Sequence, residues 1–137
     1  VDDLEAFARR IFQSQPFSRH LGAELSGCGA DHAEITLRIA DHHKQQHGFV
    51  HGGVISYLAD NAITFAGGLA LGGDALTSEF KINYLRPGVG SHLIARAHAR
   101  GKGKRQAVCL CEVIAVADDG TETLCALAQG TVVSATP

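Results

Sequence analysis

Apolar and polar positions recur with different periods along this chain, and the changes of period divide it into elements. Over residues 2–14, Leu4, Phe7, Ala8, Ile11 and Phe12 fall at helical spacing. Asp2 and Asp3 stand where a cap and the helix dipole favour an acid, so an amphipathic helix is predicted to end before Pro16. Residues 21–29 and 32–39 change to a period of two, with Ala33, Ile35, Leu37 and Ile39 on one face and Glu34, Thr36 and Arg38 on the other. Two strands joined around residues 29–31 are expected. Residues 41–50, DHHKQQHGFV, are polar and aperiodic and read as a loop. A central helix follows over about 52–70, with Val54, Ile55, Tyr57, Leu58, Ala59, Ala62, Ile63, Phe65, Ala66 and Leu69 distributed around most of its surface. A helix this apolar belongs inside a core. The breaker LGGDA ends it, and four β-rich runs remain, 75–85, 92–100, 106–117 and 123–133. They are separated by Arg86-Pro87-Gly88, by the basic tip RGKGKR and by Asp118-Asp119-Gly120. Connections this short require antiparallel pairing. The fold class expected is α+β: a curved antiparallel sheet wrapped around the long helix, the last four strands in a meander, in a single domain over 1–137. One helix cannot cover both faces of such a sheet, which predicts association with a second copy.

One polar stripe interrupts the central helix. Ser56, Asp60 and Thr64 lie at i, i+4 and i+8, with Gly52 one turn earlier. A buried carboxylate is costly unless something pairs with it or uses it, so the stripe faces a partner, a cleft or a substrate. The helix opens with His51-Gly52-Gly53. Free N–H groups at a helix start stabilise developing negative charge, and glycine admits a ligand close to the backbone. The plainer reading of this element is a glycine-rich helix start capped by a histidine. Asp60 has three readings: a general base, a nucleophile, or an interfacial acid paired with a basic residue of a neighbour. His43, His47 and His51 also lie at i, i+4 and i+8, but Gly48, the polar loop and the lack of a carboxylate at HExxH spacing argue against a metal site.

Composition narrows the function classes. The chain has 137 residues, the size of one core, and 12 Lys plus Arg against 14 Asp plus Glu give a net charge of -2. That balance makes no case for nucleic acid or an anionic membrane as a partner. Cys28, Cys109, Cys111 and Cys125 have neither zinc-ribbon spacing nor the density of a disulfide scaffold, and free thiols in a reducing compartment are expected. Cys109 and Cys111 read as core residues on one strand face. The apolar stretch near membrane-spanning length contains Asp60, Asn61 and several glycines, which argues against a transmembrane segment. No basic stretch followed by an apolar one opens the chain, so a secretory signal is not expected and a cytoplasmic location is.

Three stretches, PFSRHLG, QQHGFVHGGVISYLADNA and TSEFKINYLRPG, resemble the hotdog-fold acyl-CoA thioesterases of the phenylacetic-acid-degradation type. The likeness runs from about residue 16 to 133. It implies a helix held inside a curved antiparallel sheet, two subunits forming a continuous sheet, often a homotetramer as a dimer of dimers, and two active sites at each dimer interface. By position it implies that the Gly52 N–H, with His51, binds the thioester carbonyl oxygen and that Asp60 is the catalytic carboxylate. Ser78 would help to place the attacking water. Gln45 stands where the family usually has Asn. Gly53 belongs to the same substrate-binding element, and Arg86, Lys102, Lys104 and Arg105 lie where the family tends to bind the phosphates of coenzyme A; a solvated hairpin tip is the plainer reading of the last three.

The expected reaction is hydrolysis of an acyl-CoA to a carboxylic acid and coenzyme A, with no metal or redox cofactor. The alternatives are a hotdog hydratase or dehydratase, whose usual His and Asp within one short loop are absent here, and a non-catalytic acyl-CoA-binding protein. Phe65, Tyr84, Leu58 and Leu85 are candidates to line the acyl pocket. Gly52 and Asp60 are eight residues apart, roughly 12 Å along a helix axis, too far to serve one thioester from a single straight helix. That spacing favours a site completed by an antiparallel helix from a second subunit.

Overall fold

A helix of 20 residues, α3 (Gly52–Leu71), lies against a six-stranded sheet in the computed structural model, which describes residues 3–135. Before it come α1 (Asp3–Ser14), α2 (Pro16–Leu21), β1 (Glu24–Cys28), β2 (His32–Arg38) and a single 3-10 turn, Asp41–His43. After it come β3 (Ala75–Tyr84), β4 (His92–Lys102), β5 (Gln106–Val116) and β6 (Glu122–Ser134). Asp3 and Glu5 occupy the first turn of α1; the capping part expected of Asp2 lies outside the described residues. Phe12 of α1 is buried against Phe65 of α3, ring centroids 5.6 Å apart.

Periodicity missed α2. Pro16 pre-sets the helical φ at its first turn, and Gly22, at φ 81, closes it by donating its N–H to the Ser18 and Arg19 carbonyls. Leu21, expected to begin a strand, therefore ends a helix, and β1 starts at Glu24.

The sheet order is β1-β2-β4-β5-β6-β3, and every neighbouring pair is antiparallel. The expected four-stranded meander is corrected by this order. Only β4, β5 and β6 follow one another; β3 pairs with β6, from Ala75↔Ser134 to Tyr84↔Ala126, and forms an edge. Residues 85–91 carry the chain from β3 to β4 across two intervening strands. Three inter-strand spacings amount to roughly 14 Å, well within the ~23 Å reach of seven extended residues. The crossing is pinned as it passes the start of α3, where Val50 N–H donates to the Gly88 carbonyl at 3.0 Å and Ser91 N–H to that of Val116 at 2.8 Å.

Between helix and sheet, Leu58, Ala59, Ala62, Ile63 and Ala66 meet Ile35, Leu37, Leu93, Ala95, Val113, Ala126 and Val132, all fully buried. Small side chains set the spacing. A Cβ on Gly67 would stand 2.8 Å from the Val132 Cβ, so any larger residue there forces α3 off the sheet. By length and composition α3 could span a membrane, but its residues from Ile55 to Leu69 are largely buried against the strands, and it is the core helix.

Cys109, Cys111 and Cys125 are buried in the same layer. Burial pushes the Cys109 thiol up to about 11; burial, with Glu112 alongside, pushes Cys111 up to about 12; burial also raises Cys125. Iodoacetamide at pH 8 is therefore expected to modify at most the half-buried Cys28 in the folded protein and all four cysteines after denaturation, as counted by intact mass. Labelling of Cys109 or Cys111 without unfolding would contradict this packing. The folded thiols keep their protons above the ordinary value of 9.0, whereas the unfolded chain ionises there. These groups accordingly lower stability as pH rises from about 9 toward about 11.

Candidate active site

The loop before α3 is folded so that the helix begins with an open donor. His51 N–H donates to the His43 carbonyl at 2.8 Å, and Lys44 bridges to Val50. His51 is the N-cap, and its ring Nδ1 accepts the Gly53 N–H at 2.8 Å. A neutral imidazole that accepts at Nδ1 carries its proton on Nε2, which makes the outward nitrogen of this exposed ring a donor. The His51 carbonyl takes Val54 N–H at 2.9 Å and Ile55 N–H at 3.3 Å. Among the described residues nothing accepts the Gly52 N–H. It stands at the positive end of α3, while Gly53, the other glycine of the pair, has its N–H committed to His51.

Tyr84, at the end of β3, lies over this opening. Its hydroxyl donates to the Gly52 carbonyl at 3.1 Å and pairs with Ser56 Oγ at 2.8 Å. The carbonyl and N–H of the Gly52–Gly53 peptide are thus held by Tyr84 and His51, and the preceding peptide is held through the His51 carbonyl. The open donor is consequently fixed in direction before any ligand arrives.

Two turns further on, Asp60 Oδ1 accepts the Thr77 hydroxyl at 2.6 Å, and Thr77 is 2.6 Å from the Thr64 hydroxyl, which also reaches the Asp60 backbone carbonyl at 2.8 Å. No described residue donates to Oδ2, and no described cation pairs with Asp60. The half-buried carboxylate borders a cleft of about 340 Å³ with Phe17, Tyr57, Asn61 and Thr64. The cleft wall is braced by polar contacts: Asn61 Nδ2 donates to Gln15 Oε1 at 3.0 Å, Ser18 Oγ to the same oxygen at 2.6 Å, and Ser18 pairs with the Tyr57 hydroxyl. Burial raises the Tyr57 phenol, against the opposing hydrogen bonds from Ser18 and Asn61.

Several expected residues are placed apart. Ser78 points to the outer side of β3 and donates to the Thr131 carbonyl at 3.3 Å; the hydroxyl that meets Asp60 is that of Thr77. The Gln45 side chain is folded onto its own loop, its Oε1 accepting His47 N–H at 2.6 Å. Lys102 Nζ donates to the Ala70 carbonyl at 2.9 Å, where a cation complements the C-terminal end of α3. Lys102, Lys104 and Arg105 therefore lie at the opposite end of α3 from Arg86, and a helix of 20 residues is about 30 Å long. One chain cannot bring both groups to one ligand. His43 is buried with both ring nitrogens engaged, Nδ1 by Ala40 N–H at 2.9 Å and Nε2 by the Leu21 carbonyl at 2.8 Å, so it has no lone pair to offer beside His47 and His51. Of the four acyl-pocket candidates, Leu58 is sealed in the core, Tyr84 and Leu85 stand exposed near the start of α3, and Phe65 lines an apolar groove.

A core helix cupped by an antiparallel sheet of this order is the hotdog fold. A sequence model of the thioesterase superfamily matches residues 47–122, which include all of α3. The acyl-coenzyme A thioesterase PaaI of Escherichia coli is 30% identical over 111 residues, 78% of this chain and 76% of its own length. A putative esterase of Haemophilus influenzae is 36% identical over 80 residues, 57% of this chain and 58% of that protein. A solved structure of a thioesterase family protein from Silicibacter pomeroyi superposes with TM-score 0.90 at 29% identity, over 95% of this chain and 96% of that one. The chain belongs to the thioesterase superfamily and is a thioester hydrolase by class.

Proposed function

We propose that this protein hydrolyses acyl-coenzyme A thioesters to the carboxylic acid and coenzyme A, in sites built across two copies of the chain. The observation that carries the reading is the pair of unspent groups on α3: the Gly52 N–H, fixed and open, and an Asp60 carboxylate oriented by Thr77 with one oxygen free. In this reading the Gly52 N–H, with the His51 Nε2–H beside it, polarises the thioester carbonyl and receives the oxyanion. Asp60 supplies the attack, by taking the proton of a water or by adding directly to the carbonyl carbon. Thr77 takes the orienting part that the family resemblance gives to Ser78, and Gln45 shapes the loop that presents His51.

The two groups lie roughly 12 Å apart along one helix. Two α3 helices running antiparallel side by side bring the Gly52 of each opposite the Asp60 of the other. The edge strand β3 offers unpaired backbone groups along its free side, and pairing it with a second β3 continues the sheet. A homodimer is then the minimal unit, and the family resemblance favours a homotetramer. The same pairing carries Lys104 and Arg105 of one copy to the end where Arg86 of the other lies, a basic set suited to the phosphates of coenzyme A.

The test is release of free thiol from acyl-CoA substrates, monitored with a chromogenic disulfide. Release above the uncatalysed rate is expected. A hydratase would consume an unsaturated acyl-CoA without freeing thiol, and a binding protein would leave every thioester intact; either result overturns the proposal.

A further inference from the structure

An apolar groove of about 210 Å³ runs between α1, the C-terminal half of α3 and the start of β3. Leu4, Phe7 and Ile11 form one wall, Phe65 and Leu69 the floor, and Ala75 the other lip. Phe7 is 37% exposed, so the groove presents an apolar side chain to water along its α1 edge. Gln15 and Thr64 line both this groove and the cleft that holds Asp60, and the two spaces adjoin there. Cleft and groove together fall in the size range of small-molecule sites, roughly 300–1,000 Å³.

We propose, resting on the thioesterase reading above, that this groove holds the acyl chain and that the preferred substrates are thioesters of unbranched aliphatic acids of medium length. Its geometry fits a chain better than a ring. From Gln15, at the Asp60 end, to Leu4 is eleven residues of helical rise, about 16 Å. Three backbone bonds span roughly 3.3–3.6 Å when extended, about 1.2 Å per bond, so a groove of that length takes at most about fourteen chain atoms. A single aromatic ring fills less than half of it. The end of the groove selects further: Asp74 lines it there and accepts the Ala75 N–H at 3.0 Å. A carboxylate in that position disfavours acyl groups ending in an acid and leaves a terminal methyl as the fitting end.

The test is kcat/KM across straight-chain acyl-CoA substrates from butanoyl to hexadecanoyl, with phenylacetyl-CoA and a dicarboxylic acyl-CoA alongside. Each methylene buried is expected to raise kcat/KM about four-fold until the groove is full, after which the rise stops. Ile11→Trp, which fills the groove from its α1 wall, is expected to lower the ratio of decanoyl to butanoyl kcat/KM at least about ten-fold. Phe7→Asp, at an exposed position, is expected to lower the same ratio, which guards against misfolding of the tryptophan variant. Turnover independent of chain length, or a preference for phenylacetyl-CoA, overturns the groove assignment while leaving hydrolysis standing. No turnover of any thioester removes the reading on which it rests.

Discussion

Asp60→Asn is expected to lower kcat for thioester hydrolysis by about 10²–10⁴-fold, the range of a general base removed from its reaction. The substitution changes little else. Its amide oxygen accepts the Thr77 hydroxyl as Oδ1 does, at 2.6 Å in the parent, and the Thr64 link to the backbone carbonyl is untouched. Volume and burial are conserved, so the melting temperature should stay within a few degrees of the parent, and KM should move far less than kcat. If Asp60 were instead an interfacial acid neutralised by a neighbour, the signature would be reversed: a weaker assembly, read by sedimentation, with catalysis intact in the associated fraction. Parental kcat in a folded Asn variant would remove Asp60 from the chemistry.

The part of the fold legible in the sequence is the part set by long, regular periods. Ala33, Ile35, Leu37 and Ile39 announce β2, and the apolar run from Val54 to Leu69 announces α3, because burial imposes those spacings directly. The order of strands was not legible. Whether β3 pairs with β4 or with β6 depends on where residues 85–91 cross, and no local pattern records that. α2 escaped because six residues are too few to show a period; Pro16 and Gly22 at its two ends were the available signs. The site divides in the same way. Gly52 and Asp60 were visible as a helix start and an acid out of place on an apolar helix. Thr77 was hidden by a bulge. Phe80 and Ile82 face the core, and strict alternation carried back along β3 turns Ser78 inward and Thr77 outward. The register slips between Thr77 and Glu79, leaving Ser78 and Glu79 both exposed and turning Thr77 to Asp60. Lys102 was legible as a cation but not as the group that satisfies the Ala70 carbonyl, since that contact joins residues 32 apart in sequence.

Gly52→Pro is expected to lower kcat by about 10²–10³-fold, the cost of one oxyanion donor. Proline deletes the Gly52 N–H, and this position tolerates it better than most. Gly52 is the first residue of α3, where proline is favoured and where no intrahelical bond is lost. His51, at φ -58 and ψ 136, already has the extended backbone that a residue before proline requires. A Cβ there stands 3.4 Å from the nearest Tyr84 atoms, an ordinary contact. Gly52→Ala adds the same Cβ but keeps the N–H, so it should retain most of the activity; equal loss in both variants would assign the effect to crowding. The pair of lesions then tests the shared site. Gly52→Pro and Asp60→Asn are each nearly inactive alone, but in a mixed dimer one of the two sites draws its Gly52 and its Asp60 from intact halves. With random exchange half of the dimers are mixed, and subunit exchange between the two variants should restore about a quarter of parental activity. A mixture that exchanges subunits and remains inactive would place both groups of each site in a single chain, against the roughly 12 Å that separates them along α3.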